Sequence, residues 1–435
     1  MAGTFKKSPK IPIIVVGFNS RPIAEACWHA GLDPVVVDFF GDEDTREFVS
    51  EGHFYLESVA TSPEAPDFKA WAVDTVESVS ARACAGGEEP WVLVGSGFDD
   101  EFDCWERFSA AGHLLGNAPA SIGFTRDFER IRQIVLENGI PITFPKTMQV
   151  DKAGERDILA IVDHATLELG FPLLVKKKHS AGGAGVEIAE DGGSLETLLR
   201  NAIVAGDASF SVQEYISGQT TDASVLAIDG DVICFTRQLI GTPWLGAPRP
   251  FSYCGNIVPL ENVDAGIRDA MGDLVGLLHE QAGLRGLYGV DIIIKDGQAW
   301  FMEVNPRIPG SMEPASLALD RNLVVEHILA CGFPRVAIHQ DKPTPPANLP
   351  GRTAVKCIMF AEKDFTMPSI GDLQPNVSLH DITPPGTPIA KGVPVLTAIV
   401  AIPPCDDEAA QGAAKEAIVR IQQALFGREE IDSIK

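Results

Sequence analysis

The chain has 435 residues, 45% of them apolar, and that length exceeds what one hydrophobic core serves efficiently, so two or three domains are expected. A formal charge of −25 argues against nonspecific binding to nucleic acid or anionic membrane surfaces, while leaving room for a locally basic nucleotide site. No run approaches the roughly 18 apolar residues of a membrane-spanning helix, and the eight cysteines are scattered without a CxxC pair, which speaks against a disulfide framework or structural zinc and suits a reducing cytoplasm.

In chain order, the start MAGTFKKSPKIPIIVVGF carries a short apolar run that reads as a first buried strand rather than a signal peptide. Gly17-Phe18-Asn19-Ser20 then leads into a helix over Pro22 to Ala30, stopped at Gly31, and a second strand runs from Pro34 to Asp38. This βαβ unit lacks a full GxGxxG, so it reads as an α/β scaffold more readily than as a dinucleotide site. A helix over residues 70 to 84 and a buried strand from Trp91 to Val94 follow. The turn GSGFDD lies at the carboxyl end of that strand, where open α/β sheets bind ligands. Asp99, Asp100, Glu101 and Asp103 suit an amine or a metal there, and suit a solvated loop equally well.

Helices are predicted over Arg126 to Asn138 and Arg156 to Leu169. The strand Pro172 to Val175 then delivers Lys176, the first of three lysines, into the loop His179 to Gly185. Glycines without Cβ atoms let backbone N–H groups approach an anion, and Lys176 adds positive charge beside them. The order is not GxxxxGK[ST], and a strand follows, so a P-loop is excluded; a plain hairpin turn is the bland alternative for the glycines alone. Gln213 and Glu214, inside the apolar segment Phe210 to Ile216, offer backbone groups and a carboxylate to a planar base. A hairpin is predicted through Asp229-Gly230, and GTPWLGAPRPFSYCGNIVPL reads as a structured loop near a substrate. Its Cys254 has no assignable base and is not read as a nucleophile.

A helix over Val263 to Gly283 leads into GVDIIIKDGQAWFMEVNPRIPGSME. Asp296-Gly297 is a turn signal between two apolar runs, and pairing of those runs brings Asp291 toward Glu303. Glu303, Asn305 and Arg307 alternate along one strand and share a face. Two carboxylates and an amide oxygen suit Mg2+ carrying nucleotide phosphates; the competing reading is the polar end of a surface hairpin. Asp341 to Pro350 is a proline-rich linker. Beyond it come a strand over Thr353 to Phe360, two short strands around Lys391-Gly392 and a helix over Ala409 to Phe426, a small α+β unit that completes a substrate pocket or forms a dimer surface. Lys391 lacks the methionine neighbours of a biotinyl lysine, so a carrier role is rejected.

The segments GFPLLVKKKHSAGGAGV, SVQEYISG, GVDIII and FMEVNPR, in that order, resemble the ATP-grasp superfamily, and especially the carboligase-like branch related to biotin carboxylase, over roughly residues 1 to 330. The resemblance implies an α/β and α+β architecture. An N-terminal open parallel-sheet domain (1–120) precedes a helical lead-in with a mobile glycine-loop lid domain (121–212), a metal-binding antiparallel-sheet core (213–340) and a small C-terminal α+β appendix (341–435). It also implies ATP between lid and core with one or two Mg2+, Mn2+ being an acceptable substitute. By the same resemblance, Lys176 contacts the α- and β-phosphates, and Ser180, Gly182, Gly183 and Gly185 close over them. Gln213, Glu214 and the backbone of Tyr215 and Ile216 hold the adenine, and Gln219 stands where an acidic ribose ligand is expected. Asp291, Glu303 and Asn305 hold the metal, and Arg307 faces the transferred phosphate.

Two further departures matter. Thr125-Arg126-Asp127-Phe128 lacks an expected lysine, so either Arg126 or Arg130 substitutes for it or the protein does without that interaction. The run after Arg307, Ile-Pro-Gly-Ser-Met-Glu, differs from the biotin carboxylase pattern and puts bicarbonate and biotin in doubt. The expected function is an ATP-dependent ligase that activates a substrate carboxylate as an acyl phosphate and couples it to an amine of a small metabolite, with Lys176 and Arg307 catalytic and Glu313 a candidate base. The alternatives are a bicarbonate-using carboxylase and a nucleotide-binding sensor without turnover. Small-molecule carboxylate and amine substrates are the expected partners, with no nucleic acid or membrane, and a homodimer is allowed.

Overall fold

The computed structural model describes residues 12–50, 52–56, 67–151, 153–177, 182–206, 209–335, 338, 351–370 and 376–426. The N-terminal part is a five-stranded parallel sheet in the order His53–Tyr55, Pro34–Asp38, Ile13–Gly17, Trp91–Val94, His113–Leu115. Its strands are continuous apolar runs because both faces are covered, and the period-two alternation divides each run between two cores. Ile13 and Val15 pack with Ile23, Ala24 and Cys27 of the helix Arg21–His29 on one side. Ile14 and Val16 pack with Val73, Val76, Trp105 and Phe108 of the helices Phe68–Ala85 and Phe102–Ala111 on the other. The first of these cores also takes in Met312, Ala315, Leu323 and Ile328, so it joins the N-terminal sheet to the helices Met312–Leu319 and Leu323–Ala330.

A second unit is a four-stranded antiparallel sheet in the order Thr147–Val150, Phe210–Glu214, Leu173–Lys177, Val186–Ala189. Leu173, Val175, Phe210 and Val212 form its core with Ile158, Leu195 and Leu199 from the helices Ile158–Glu168 and Gly192–Val204. Lys176 falls between Val175 and Lys177 on the alternation and takes the face away from these helices.

The third unit is a nine-stranded sheet in the order Val377–His380, Pro394–Ile402, Thr353–Phe360, Tyr253–Val258, Asp231–Ile240, Thr221–Ile228, Leu287–Lys295, Gln298–Asn305, Ile142–Thr143. Helix Ala265–Ala282 supplies much of the core beneath its centre. The helix predicted over Arg126 to Asn138 is present as Phe128–Glu137, preceded by an unpredicted helix Pro119–Arg126 and divided from it at Asp127, whose carboxylate caps the Arg130 N–H at 3.0 Å. Phe124, Ile131 and Val135 bury into the central core.

The C-terminal strands also extend the central sheet, through Thr353–Phe360 against Tyr253–Val258, while keeping an apolar cluster of their own under the helix Asp407–Phe426. The two strands flanking Lys391-Gly392 do not pair with each other. Pro388–Ile389 pairs with Phe365–Thr366, and Pro394–Ile402 pairs with Thr353–Phe360, because the longer apolar strand buries more surface inside the large sheet. The proline-rich segment 341–350 lies outside the described residues.

The join between the two halves of the sheet depends on Gly255, paired with Cys357. Its φ is 133°, and an added Cβ would lie 1.9 Å from the carbonyl oxygen of Lys356. Gly255→Ala is expected to lower unfolding stability by about 3 kcal/mol, read as a fall in the urea midpoint; an unchanged midpoint contradicts so close an approach.

Candidate active site

Strands Leu287–Lys295 and Gln298–Asn305 form a hairpin closed by Asp296-Gly297, with φ of 50° and 73° in the turn. Left-handed backbone at both positions is what a two-residue hairpin turn matching strand twist demands. The register pairs Asp291 with Glu303 and Gly289 with Asn305. It shifts between Asp291 and Ile292, which pairs with Phe301, so Met302 is an extra residue. This bulge decides where the site faces. Ala299 and Phe301 point into the core, and unbroken alternation would send Glu303 and Asn305 after them. With the extra residue, Val304 takes the core position instead, and Glu303 and Asn305 turn to the other face, where Asp291 lies between the buried Val290 and Ile292.

On that face Asn305 Nδ2 donates to Asp291 Oδ2 at 3.0 Å, and Arg307 Nη2 donates to Asn305 Oδ1 at 3.4 Å. Burial, reinforced by the charge of Glu303, pushes the Asp291 carboxyl up to about 7, with hydrogen bonds from Ser224 and Gln238 acting the other way. Lys176 and Arg307 reach the pair electrostatically: burial lowers the Lys176 ammonium while Glu303 partly restores it, and Arg307 feels both carboxylates. Two hard carboxylates in mutual repulsion fit a divalent cation of the Mg2+ kind, while Asn305 turns its amide nitrogen to Asp291 and its oxygen to Arg307.

Arg307 is held from the N-terminal unit. Asp99 accepts from its Nε at 2.8 Å and its Nη2 at 3.2 Å, a bidentate pair. Burial works to raise Asp99, but Arg307 and Arg126 together hold it below the usual carboxylate range. Arg126 also pairs with Asp100 at 3.1 Å and donates to the Val304 carbonyl at 3.3 Å, which ties it to the back of the hairpin. Arg130 instead lies over the Phe124 ring at 4.1 Å. Glu101 pairs with Lys69. The expectation that the acidic run 99–103 receives a cationic substrate is therefore corrected: three of its four carboxylates already have cationic partners.

Glu313 is likewise engaged, by Arg21 and by Lys356 Nζ at 2.8 Å. Burial acts to raise it, yet those two cations bring it down to about 2, too weak a base for the role expected of it. Glu25, Glu313 and His380 cluster within 4.8 Å, but both glutamates are ion-paired to Arg21 and Glu313 to Lys356 as well, so we do not read a metal centre there. Cys254 donates to the Ser252 carbonyl at 3.3 Å, and burial raises its thiol, in keeping with no nucleophilic role.

The other predicted residues spread along the junction between the glycine-loop unit and the central sheet. Gln213 is buried and its amide donates to Thr147 Oγ1 at 2.9 Å. Glu214 Oε2 accepts from the Lys146 N–H at 3.2 Å, and Tyr215 N donates to the Pro172 carbonyl at 3.2 Å. Ile216 is buried, Gln219 is exposed, and Ser180 lies outside the described residues. Gly182, Gly183 and Gly185 all have positive φ. At Gly183 an added Cβ would sit 1.7 Å from the Phe251 carbonyl oxygen, and Tyr253 N donates to Gly182 O at 3.3 Å. The loop is thus docked on the segment before Tyr253. The Tyr253 hydroxyl bonds Asn256 Oδ1, and burial together with Asp291 and Glu313 raises it. Sequence reading gave no role to Ser224, Gln238 or Tyr253 and placed Asn256 only in a structured loop near a substrate, because the contacts of these residues are made across strands.

Comparison with known proteins adds to this geometry. Residues 160–311 match the family described as ATP-grasp domain. The biotin carboxylase domain dimer of Hydrogenobacter thermophilus 2-oxoglutarate carboxylase, solved with MgADP, ADP and bicarbonate, superposes with a TM-score of 0.68 at 18% identity, covering 93% of this chain and 89% of that one. The chain has the ATP-grasp fold. Among curated sequences, this chain is 27% identical over 254 residues to the carbamoyl phosphate synthase large chain of Vibrio cholerae, a match covering 58% of this chain and only 22% of that one. It is 21% identical to an uncharacterized protein of Methanocaldococcus jannaschii over 89% of this chain and 87% of that protein. The family match includes Lys176, the glycine loop, the hairpin and Arg307, and stops before Glu313.

Gly183→Ala is expected to lift the loop off Phe251 and break the Gly182–Tyr253 bond. Amide exchange at Tyr253 should then accelerate by about tenfold or more; unchanged protection contradicts the docked loop.

Proposed function

We propose that this chain is an ATP- and Mg2+-dependent enzyme that activates a carboxyl group by phosphorylation, with bicarbonate as the acid, and passes the activated carboxyl to a nitrogen nucleophile on a small molecule. The observation that carries the reading is the pairing of Asp291 with Glu303 on one face of the hairpin, with Asn305 bonded to Asp291 and Lys176 within electrostatic reach. The choice of bicarbonate rests on the likeness to the biotin carboxylase domain bound to bicarbonate.

Asp291, Glu303 and Asn305 would hold Mg2+, which when bound neutralises phosphate charge. Lys176 is a partly desolvated ammonium at a strand end, where its attraction for a polyphosphate is stronger than in water. Arg307, fixed by Asp99, presents its guanidinium without reorganising as charge shifts onto the transferred phosphoryl group. An oxygen of the acid attacks the γ-phosphorus, the bond to the β-phosphate oxygen breaks, and ADP leaves. The nitrogen nucleophile then attacks the activated carbonyl carbon and inorganic phosphate departs. The glycine loop, seated on Phe251, keeps water from the mixed anhydride.

A second reading, in which a metabolite carboxylate replaces bicarbonate, is favoured by one observation: Glu313, the carboxylate nearest in sequence after Arg307, is ion-paired with Arg21 and Lys356 and does not itself serve as a base toward bicarbonate.

Glu303→Gln is expected to abolish ADP formation while the chain stays folded, and unchanged turnover contradicts the metal assignment. Lys176→Ala should raise the ATP requirement by about tenfold or more; unaffected nucleotide affinity removes it from the site. ADP release in bicarbonate-stripped buffer separates the acids. Restoration by bicarbonate plus an amine supports the first reading, and release with an organic acid plus an amine but no bicarbonate supports the second. Absence of release under both conditions, with MgATP bound, overturns the enzyme reading.

A further inference from the structure

The segment Phe251 to Tyr253 is touched from three directions, and the chemistry above uses only one of them. From the glycine-loop unit, an added Cβ on Gly183 would lie 1.7 Å from the Phe251 carbonyl oxygen, and the Gly182 carbonyl accepts from the Tyr253 N–H at 3.3 Å. From the end of strand Phe210–Glu214, the Tyr215 ring meets the Phe251 ring edge-on with centroids 6.3 Å apart. From the turn that follows Arg307, Gly310 lies directly against the Tyr253 phenol. A Cβ built on Gly310 would stand 3.0 Å from the hydroxyl oxygen and 3.4 and 3.5 Å from Cε1 and Cζ.

The phenol is tied to the interior of the sheet. Its hydroxyl donates to Asn256 Oδ1, and Asn256 Nδ2 donates in turn to Thr236 Oγ1 at 3.0 Å. Asn256 and Thr236 are both fully buried, on the adjacent strands Tyr253–Val258 and Asp231–Ile240. Burial raises the hydroxyl well above its ordinary range, which keeps it protonated and able to donate.

The turn is fixed on its other sides as well. Met312 N donates to the Pro309 carbonyl at 3.0 Å, and Lys356 Nζ donates to the Gly310 carbonyl at 3.4 Å and pairs with Glu313 at 2.8 Å. Pro309 Cβ lies 3.4 Å from where a Cβ on Gly289 would stand, and Gly289 pairs with Asn305. A continuous series of contacts therefore runs from the glycine loop, through the N–H and the phenol of Tyr253, to the Gly310 turn and the base of the hairpin that carries Asn305. Close packing of this kind passes a displacement at one end to the other.

We propose that Tyr253 is a positioning residue that makes the seating of the glycine loop and the placement of the turn after Arg307 depend on each other, so that a polyphosphate held under the loop and an acid received beside Arg307 each tighten the binding of the other. The effect on ligands rests on the function proposed above; the mechanical link does not. Reciprocity is required, because whatever free energy one ligand lends to the second site the other must lend to the first.

The mechanical link is tested without any ligand, by amide exchange in Gly310→Ala. Gly310 is exposed and its φ lies outside the left-handed region, so alanine suits its backbone and alters the contact with the phenol. Exchange at the Tyr253 N–H should accelerate by about fivefold or more; a change confined to residues 309–312 overturns the link. The ligand coupling is read by calorimetry on the full chain, with Mg2+ and the β,γ-methylene analogue of ATP, in the presence and absence of bicarbonate or acetate. In the wild type one of these acids should tighten the nucleotide by about fivefold or more. Tyr253→Phe keeps the ring and the N–H, loses the bond to Asn256, and should abolish most of that gain. Lost stability alone would weaken both titrations and leave their ratio intact, so an undiminished ratio in Tyr253→Phe, or no effect of either acid on the wild type, overturns the coupling. Unchanged exchange with intact acid-dependent ADP release sinks this inference alone; accelerated exchange with no ADP release sinks only the reaction.

Discussion

Asp291 and Glu303 face each other across a hairpin, on the side of the sheet that turns away from the main core, and neither burial nor neighbouring dipoles settle their repulsion. Two like charges at short range in a partly desolvated site cost several kcal/mol unless one is protonated or a cation intervenes. Much of the surrounding architecture bears on that repulsion. Ser224 and Gln238 donate to Asp291 from adjacent strands, Lys176 approaches from the glycine-loop sheet, and Arg307 lies just beyond Asn305. Positive charge thus reaches the acidic pair from separate directions without closing on it.

Rigidity at this site comes from between units. Arg307 belongs to the central chain segment, but its guanidinium geometry is set by Asp99, which stands at the carboxyl end of a strand in the N-terminal parallel sheet. Arg126 braces the same carboxylate and reaches the hairpin backbone as well. A bidentate pair buried between two units fixes an arginine far better than a solvent-exposed one, and a charge already oriented need not reorganise when a phosphoryl group moves. The apolar core shared by helix Arg21–His29 and helices Met312–Leu319 and Leu323–Ala330 supplies the stiffness behind this contact.

The Arg21 cluster shows the same economy in a second place. Its guanidinium, with no exposed surface, meets carboxylates from its own helix, from the segment after Arg307 and from the C-terminal strands. Such a hub holds three parts of the chain in register, since withdrawing any one carboxylate would leave a buried cation undercompensated. It also explains why Glu313 is an ionised structural anchor although its position in the sequence suggests a base.

Sequence alone determined much of this protein. Apolar runs such as Ile13 to Val16 specify strands covered on both faces, and Asp296-Gly297 specifies a tight hairpin, because both signals are local and each has one low-energy backbone solution. The ordered motifs carrying Lys176, the glycines and the hairpin acids were enough to indicate the ATP-grasp fold. The tertiary structure alone decided which face those acids occupy, since the Met302 bulge reverses the alternation that Ala299 and Phe301 begin. It alone decided that Asp99 and Glu313 are ion-paired. Partners hundreds of residues apart leave no trace in local spacing. Charge compensation is a property of what packs against a group, and packing is fixed only when the whole chain has folded.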